Sequence, residues 1–145
     1  MNNISIIGDN GNIKETILNL FSKNKLEISE QFLDKEILIA HSNSPAKHIT
    51  HTAIINSDEK QTLSTVENAN TIITYGLNPR ACVTASSLSK DTIQICIQRT
   101  IPSPNGHLEA QEFTMPIPPN KTPQEILAAT TAALICGIQP DKIQL

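Results

Sequence analysis

Thr71-Ile72-Ile73-Thr74-Tyr75-Gly76-Leu77-Asn78-Pro79 joins a run of β-prone residues to a glycine-containing turn, and it holds the chain's only tyrosine. That is the pattern of a buried strand ending in a loop. Upstream, Thr52-Ala53-Ile54-Ile55-Asn56 reads as another buried strand, and Ser57-Asp58-Glu59 after it as a helix start, which predicts a helix to about Asn68. Residues 41–51 are polar and contain Pro45, so a loop or a poorly formed helical turn is expected. Glu36-Ile37-Leu38-Ile39-Ala40 is a continuous buried run, and Leu26-Glu27-Ile28 is a shorter strand candidate. At the start, Ile4-Ser5-Ile6-Ile7 predicts a strand and Gly8-Asp9-Asn10-Gly11-Asn12 a tight turn. Ile13, Ile17, Leu18, Leu20 and Phe21 then recur at helical spacing.

Strand and helix thus alternate through the first half, which argues for an α/β fold with a mostly parallel sheet flanked by helices. The second half differs. Ala81 to Ser87, Thr92 to Ile101 and Glu112 to Ile117 are extended runs. In the middle one Ile93, Ile95 and Ile97 alternate with Gln94, Cys96 and Gln98, the mark of an antiparallel ribbon with one wet face. Pro102-Ser103-Pro104-Asn105-Gly106 reads as a hairpin turn region. A final helix follows, with Thr122 as N-cap, Pro123 at its first position, Glu125 completing a capping box, and Gly137 as its stop. Its apolar side is Ile126, Leu127, Ala129, Ala133, Leu134 and Ile135.

At 145 residues the chain fits a single domain, residues 1–145. Aromatic residues make up only 3% and Trp is absent, which disfavours recognition by ring stacking. A net charge of −3 with scattered Lys and Arg gives no footprint for nucleic acid or an anionic membrane. The N-terminus lacks a basic segment followed by an apolar one, and no apolar run is long enough to span a bilayer. Cys82, Cys96 and Cys136 are far apart, without zinc-site spacing or an even disulfide count, so buried free thiols in a reducing cytoplasm are expected.

Taken with Ala81-Cys82-Val83-Thr84-Ala85 and the final helix from Leu127 to Ile138, the Thr71–Pro79 stretch resembles the central domain of the Mur ligases. In that family a strand ending in Tyr-Gly precedes an antiparallel ribbon and an Ala-Ala helix with Gly-Ile near its end. The resemblance is clearest from Ala53 to Ile138, and Ile6 to Thr16 stands where the family has its P-loop. It implies a P-loop, Mur-ligase-central-domain-like fold. The family joins an amino acid to a UDP-linked muramyl peptide through an acyl phosphate made with ATP. Its central domain binds ATP and magnesium, and flanking domains hold the UDP sugar. At 145 residues the chain resembles a shortened central domain alone.

Matched residue by residue, the chemistry is missing. A P-loop cradles phosphates with backbone N–H groups, neutralises them with a lysine and meets magnesium with a hydroxyl. Setting Gly8-Asp9-Asn10-Gly11 on the family's Gly-Thr-Asn-Gly puts Ile6 at the first glycine, Asn12 at the lysine and Ile13 at the hydroxyl. Asp9 adds a negative charge, and Lys14 falls two positions late. The family's magnesium-binding Glu would fall near Ala40-His41-Ser42-Asn43, and its His-Asn pair near Lys121-Thr122; neither is present.

Gly8, Asp9, Asn10, Gly11, Asn12 and Lys14 remain as a vestigial nucleotide or anion site, read either as an anion cradle at a helix N-terminus or as a tight turn. Tyr75, Asn78 and Arg80 form a possible ligand loop. His41, His48 and His51 with Asp58 are read either as metal ligands or as a polar loop, the latter being favoured. The expectation is a non-catalytic binding or regulatory module in the cytoplasm, with no catalytic residue, metal or cofactor. Its partner is a protein or a second copy of itself, with neither nucleic acid nor membrane involved. The alternative is a nucleotide-binding enzyme or ligase subunit completed by a partner chain.

Overall fold

A computed structural model of the chain describes residues 4–7, 13–24, 37–42, 48–59, 62–103 and 106–143. Its strands are β1 (Ile4–Ile7), β2 (Ile37–Ala40), β3 (His48–Asn56), β4 (Val66–Tyr75), β5 (Val83–Leu88), β6 (Thr92–Ile97), β7 (Ile101–Ser103), β8 (Gly106–Leu108) and β9 (Gln111–Pro116). The helices are α1 (Ile13–Asn24) and α2 (Pro123–Ile135). Seven strands form one sheet in the order β1-β2-β3-β4-β5-β6-β9, and β7 pairs with β8 in a small antiparallel sheet of its own. Neighbours are parallel from β1 to β5 and antiparallel from β5 to β9. The expected α/β class, parallel sheet and antiparallel ribbon are all present. No helix among the described residues is long and apolar enough to cross a membrane.

The main core lies on one face. Ile37 and Ile39 of β2, Ile54 of β3, Ile73 and Tyr75 of β4, and Ile93, Ile95 and Ile97 of β6 pack there with α1 and α2, which also touch each other. α2 is buried at every position from Ile126 to Ile135, not along one side only. A helix apolar nearly all round belongs inside, and the two polar exceptions are accommodated: Thr131 Oγ1 donates to Leu127 O at 2.6 Å and Thr130 Oγ1 to Met115 Sδ at 3.7 Å. Its ends are built as expected. Thr122 and Glu125 form the capping box. Gly137, at φ +97°, donates to Leu134 O while Ile138 N–H reaches Ala133 O, a Schellman stop. On the opposite face Ala40, Ala53 and Ile55 form a smaller cluster with Val66 and Ala69.

Two expectations are corrected. The helix from Ser57 to Asn68 is absent: a 3₁₀ turn occupies Thr62–Thr65, and β4 begins at Val66. Between Glu59 and Asn68 only Leu63 and Val66 are apolar, too few for a helical stripe, whereas Asn68, Ala69 and Thr71 extend the ladder beside Ile49, Thr50 and Thr52 of β3. Residues 48–51, expected in a loop, are the first turnless part of β3. So no α-helix lies between β2 and β4 among the described residues. The Leu26–Ile28 strand candidate lies outside the described residues.

Candidate functional site

In open α/β sheets, ligands collect at the carboxyl ends of the parallel strands. Here β3 and β4 end in Asn56 and Tyr75 and His41 directly follows β2; the Tyr75 side chain bonds that of His41, and the Asn56 side chain bonds the His41 carbonyl. Tyr75 is fully buried, its hydroxyl against His41 Nδ1 at 2.5 Å, with the two ring planes nearly parallel. Burial, and then the charge of Asp58, push its phenol well above the usual tyrosine range. Asn56, also buried, donates from Nδ2 to His41 O at 3.1 Å and accepts Asp58 N–H on Oδ1 at 3.0 Å. Ser57 sends both its N–H, at 2.8 Å, and its hydroxyl, at 3.1 Å, to Tyr75 O. Thr62 Oγ1 donates to Asn56 O at 2.6 Å and ties the 3₁₀ turn down.

Asp58 is the centre of this arrangement. Its carboxylate accepts Leu77 N–H at 2.6 Å and Asn78 N–H at 2.8 Å, two consecutive amides turned toward one anion. Gly76 makes the approach possible. It sits at φ +151°, and a Cβ there would lie 2.8 Å from Asp58 Cγ. The Gly76–Asn78 turn is therefore an anion cradle filled by the chain's own carboxylate. In the sequence Asp58 reads as a helix cap or a metal ligand; the structure instead places its carboxylate on the two amides after Gly76.

The expected ligand loop is thereby placed. Tyr75 is a core residue with no solvent-facing surface. Asn78 Oδ1 accepts Arg80 N–H at 2.9 Å, an internal turn contact. Arg80 is exposed, and its carbonyl accepts Arg99 Nη1 at 3.2 Å. Asn78 and Arg80 are exposed, whereas Tyr75 is not.

Gly8 to Asn12 lie outside the described residues, and so does the side chain of Lys14, whose backbone is in the first turn of α1. Among the described residues the strand order starts at β1 and runs to β6 without reversal. Near the first turn of α1 is a shallow pocket of about 270 Å³ lined by Glu15, Thr16, Asn19 and residues 118–121. Lys121 reaches across it, Nζ donating to Thr16 Oγ1 at 2.7 Å. That contact, spanning most of the chain, has no local sequence signal.

Among the described residues the histidines form no cluster. His41 is committed to Tyr75, and β3 carries residues 48 and 51 on a strand, where the helical spacing that would pair them does not apply. No group of three or more His, Cys, Asp or Glu able to hold a metal occurs among the described residues. All three cysteines are free. Cys82 and Cys136 are buried, while Cys96 is only partly so, lying on the wet face of the ribbon. Burial pushes the Cys136 thiol up to about 12 and raises that of Cys82. Such thiols are poor nucleophiles.

No protein family is matched by the sequence, and no curated protein matches it.

Proposed function

We infer that the chain is a Mur-ligase-like domain without ligase catalysis, a binding or regulatory module linked through that resemblance to cell-wall peptide synthesis. The scaffold order supports this reading: a strand ending in Tyr75-Gly76, the ribbon of β5, β6 and β9, then the Ala-rich helix α2. The observation that carries the loss of catalysis is the closed end of the sheet. Asp58 fills the amide cradle of Leu77 and Asn78, and His41, Asn56 and Tyr75 are bonded among themselves. Groups spent on each other are not poised for a nucleotide or a metal. Titration calorimetry with ATP and magnesium tests it. No heat is expected at millimolar nucleotide, and micromolar binding refutes the reading.

A second reading has one observation in its favour. Lys121 brings an ammonium to the first turn of α1, the end where the glycine loop enters. A nucleotide-binding subunit completed by a partner chain would use such a cation to neutralise phosphate. If calorimetry detects ATP, Lys121→Met should weaken it at least tenfold under this reading.

A further inference from the structure

β9 is the last strand of the seven-stranded sheet, with no strand beyond it among the described residues. Which of its backbone groups face outward follows from the register, because successive residues of an antiparallel strand bond to opposite sides. Gln98 N–H donates to Cys82 O at 2.8 Å and Ser89 N–H to Thr92 O at 2.9 Å, so the even-numbered residues of β6 bond toward β5. Its odd-numbered residues bond toward β9, where Ile93, Ile95 and Ile97 stand opposite Met115, Phe113 and Gln111. Ile117 N–H continues that pattern onto Asp91 O at 2.8 Å. Glu112, Thr114 and Pro116 therefore turn their backbone outward. Pro116 contributes a carbonyl and no donor, which costs the sheet nothing at an edge. A groove of about 540 Å³ runs beside the same strand, lined by Phe113, Met115, Pro140 and Ile143 among others.

We propose that two copies of the chain pair along this edge, antiparallel, about a two-fold axis passing Phe113. In that register Glu112 of one copy exchanges two backbone hydrogen bonds with Thr114 of the other, and the two-fold repeats the exchange, so every outward N–H of the strand is used. Each Glu112 carboxylate then stands opposite a threonine. Sliding the pairing one way sets Glu112 against Glu112, which repels. Sliding it the other way sets Glu112 against Pro116, which returns no bond. Phe113 meets its mate at the closer, non-hydrogen-bonded position, beside the groove that it lines. The proposal rests on the sheet edge alone and is independent of the ligase-like reading.

Sedimentation and light scattering of the full chain, from micromolar to near-millimolar concentration, should show reversible growth from 15.8 kDa toward twice that mass. Over the same range, amide exchange at Glu112 and Thr114 should slow, while Phe113 and Met115, already bonded to β6, stay protected throughout. Thr114→Glu keeps the backbone donor and places two carboxylates opposite each other; it should weaken pairing about tenfold or more, and adding Glu112→Lys should restore it. A chain that stays monomeric at every concentration overturns the proposal. So does a dimer in which the Glu112 and Thr114 amides exchange unchanged or Thr114→Glu has no effect.

Discussion

Replacing Gly76 by alanine tests the clamp at the end of the sheet. The new Cβ would stand 2.8 Å from Asp58 Cγ and Oδ1, inside any tolerable contact, and the backbone would stay at φ +151°, which an L-residue resists. Holding a side chain at positive φ costs about 1–2 kcal/mol. Moving Asp58 aside also gives up two charge-assisted bonds, nominally about 1.5–3 kcal/mol each, to be cut by at least half for solvent exposure. The combined loss is about 2–4 kcal/mol, or roughly 5–15 °C in Tm for a chain of this size. Asp58→Ala removes the bonds without the strain and should cost about 1–2 kcal/mol. Because truncating Asp58 also removes the clash, the double variant should be no less stable than Gly76→Ala alone. Urea unfolding followed by circular dichroism completes the cycle. Strictly additive costs, or a neutral Gly76→Ala, would refute the assignment of Asp58 to the Leu77 and Asn78 amides.

The thiols give a second set of outcomes. A disulfide-exchange reagent at mildly alkaline pH should label Cys96 first and leave Cys136 unreacted until the protein unfolds, since Cys136 is buried with its pKa pushed up to about 12 from 9.0. The sign of the stability effect follows. A folded-state pKa above the unfolded one contributes fully below about 9 and is lost as pH rises toward 12, so unfolding free energy should fall in that window by up to about 1.4 kcal/mol per pH unit. Tyr75, raised above its ordinary 10.0, adds to the fall at higher pH. Urea titrations at neutral and alkaline pH measure it, and Cys136→Ala should flatten the slope. At the other end of α2, Thr122→Ala removes the capping box and should cost about 1 kcal/mol by the same unfolding assay.

The parts of the fold that were legible in the sequence are those with a strong local period or a local chemical stop. Alternating Ile93, Ile95 and Ile97 gave the buried face of β6, all three at or near zero exposure. Thr122, Pro123, Glu125 and Gly137 gave both ends of α2 because caps are decided within a few residues. The segment from Ser57 to Asn68 misled for the converse reason. Ser57-Asp58-Glu59 is a good helix start in isolation, but both bonding groups of Ser57 go to Tyr75 O and the Asp58 carboxylate goes to Leu77 and Asn78. These partners are about twenty residues away, where no local rule sees them. The same holds for Lys121 and Thr16. At the candidate site, Tyr75 reads in the sequence as the end of a strand, which it is, yet its burial depends on α2 packing against β4 from far along the chain.

The carboxyl ends of the strands and the β9 edge differ in what an incoming group would have to displace. At the carboxyl ends of β2, β3 and β4 the side chains satisfy one another. A ligand arriving there would have to displace Asp58 from two amides and break the Asn56 and His41 contacts before gaining anything. At β9 the opposite holds. The outward amides of Glu112 and Thr114 face no further strand among the described residues, so pairing there gives up no ladder bond. This difference is the reason the proposed pairing is placed at the sheet edge and not at the strand ends. Opening the strand ends instead requires removing Asp58, a change expected to cost stability before it yields a site.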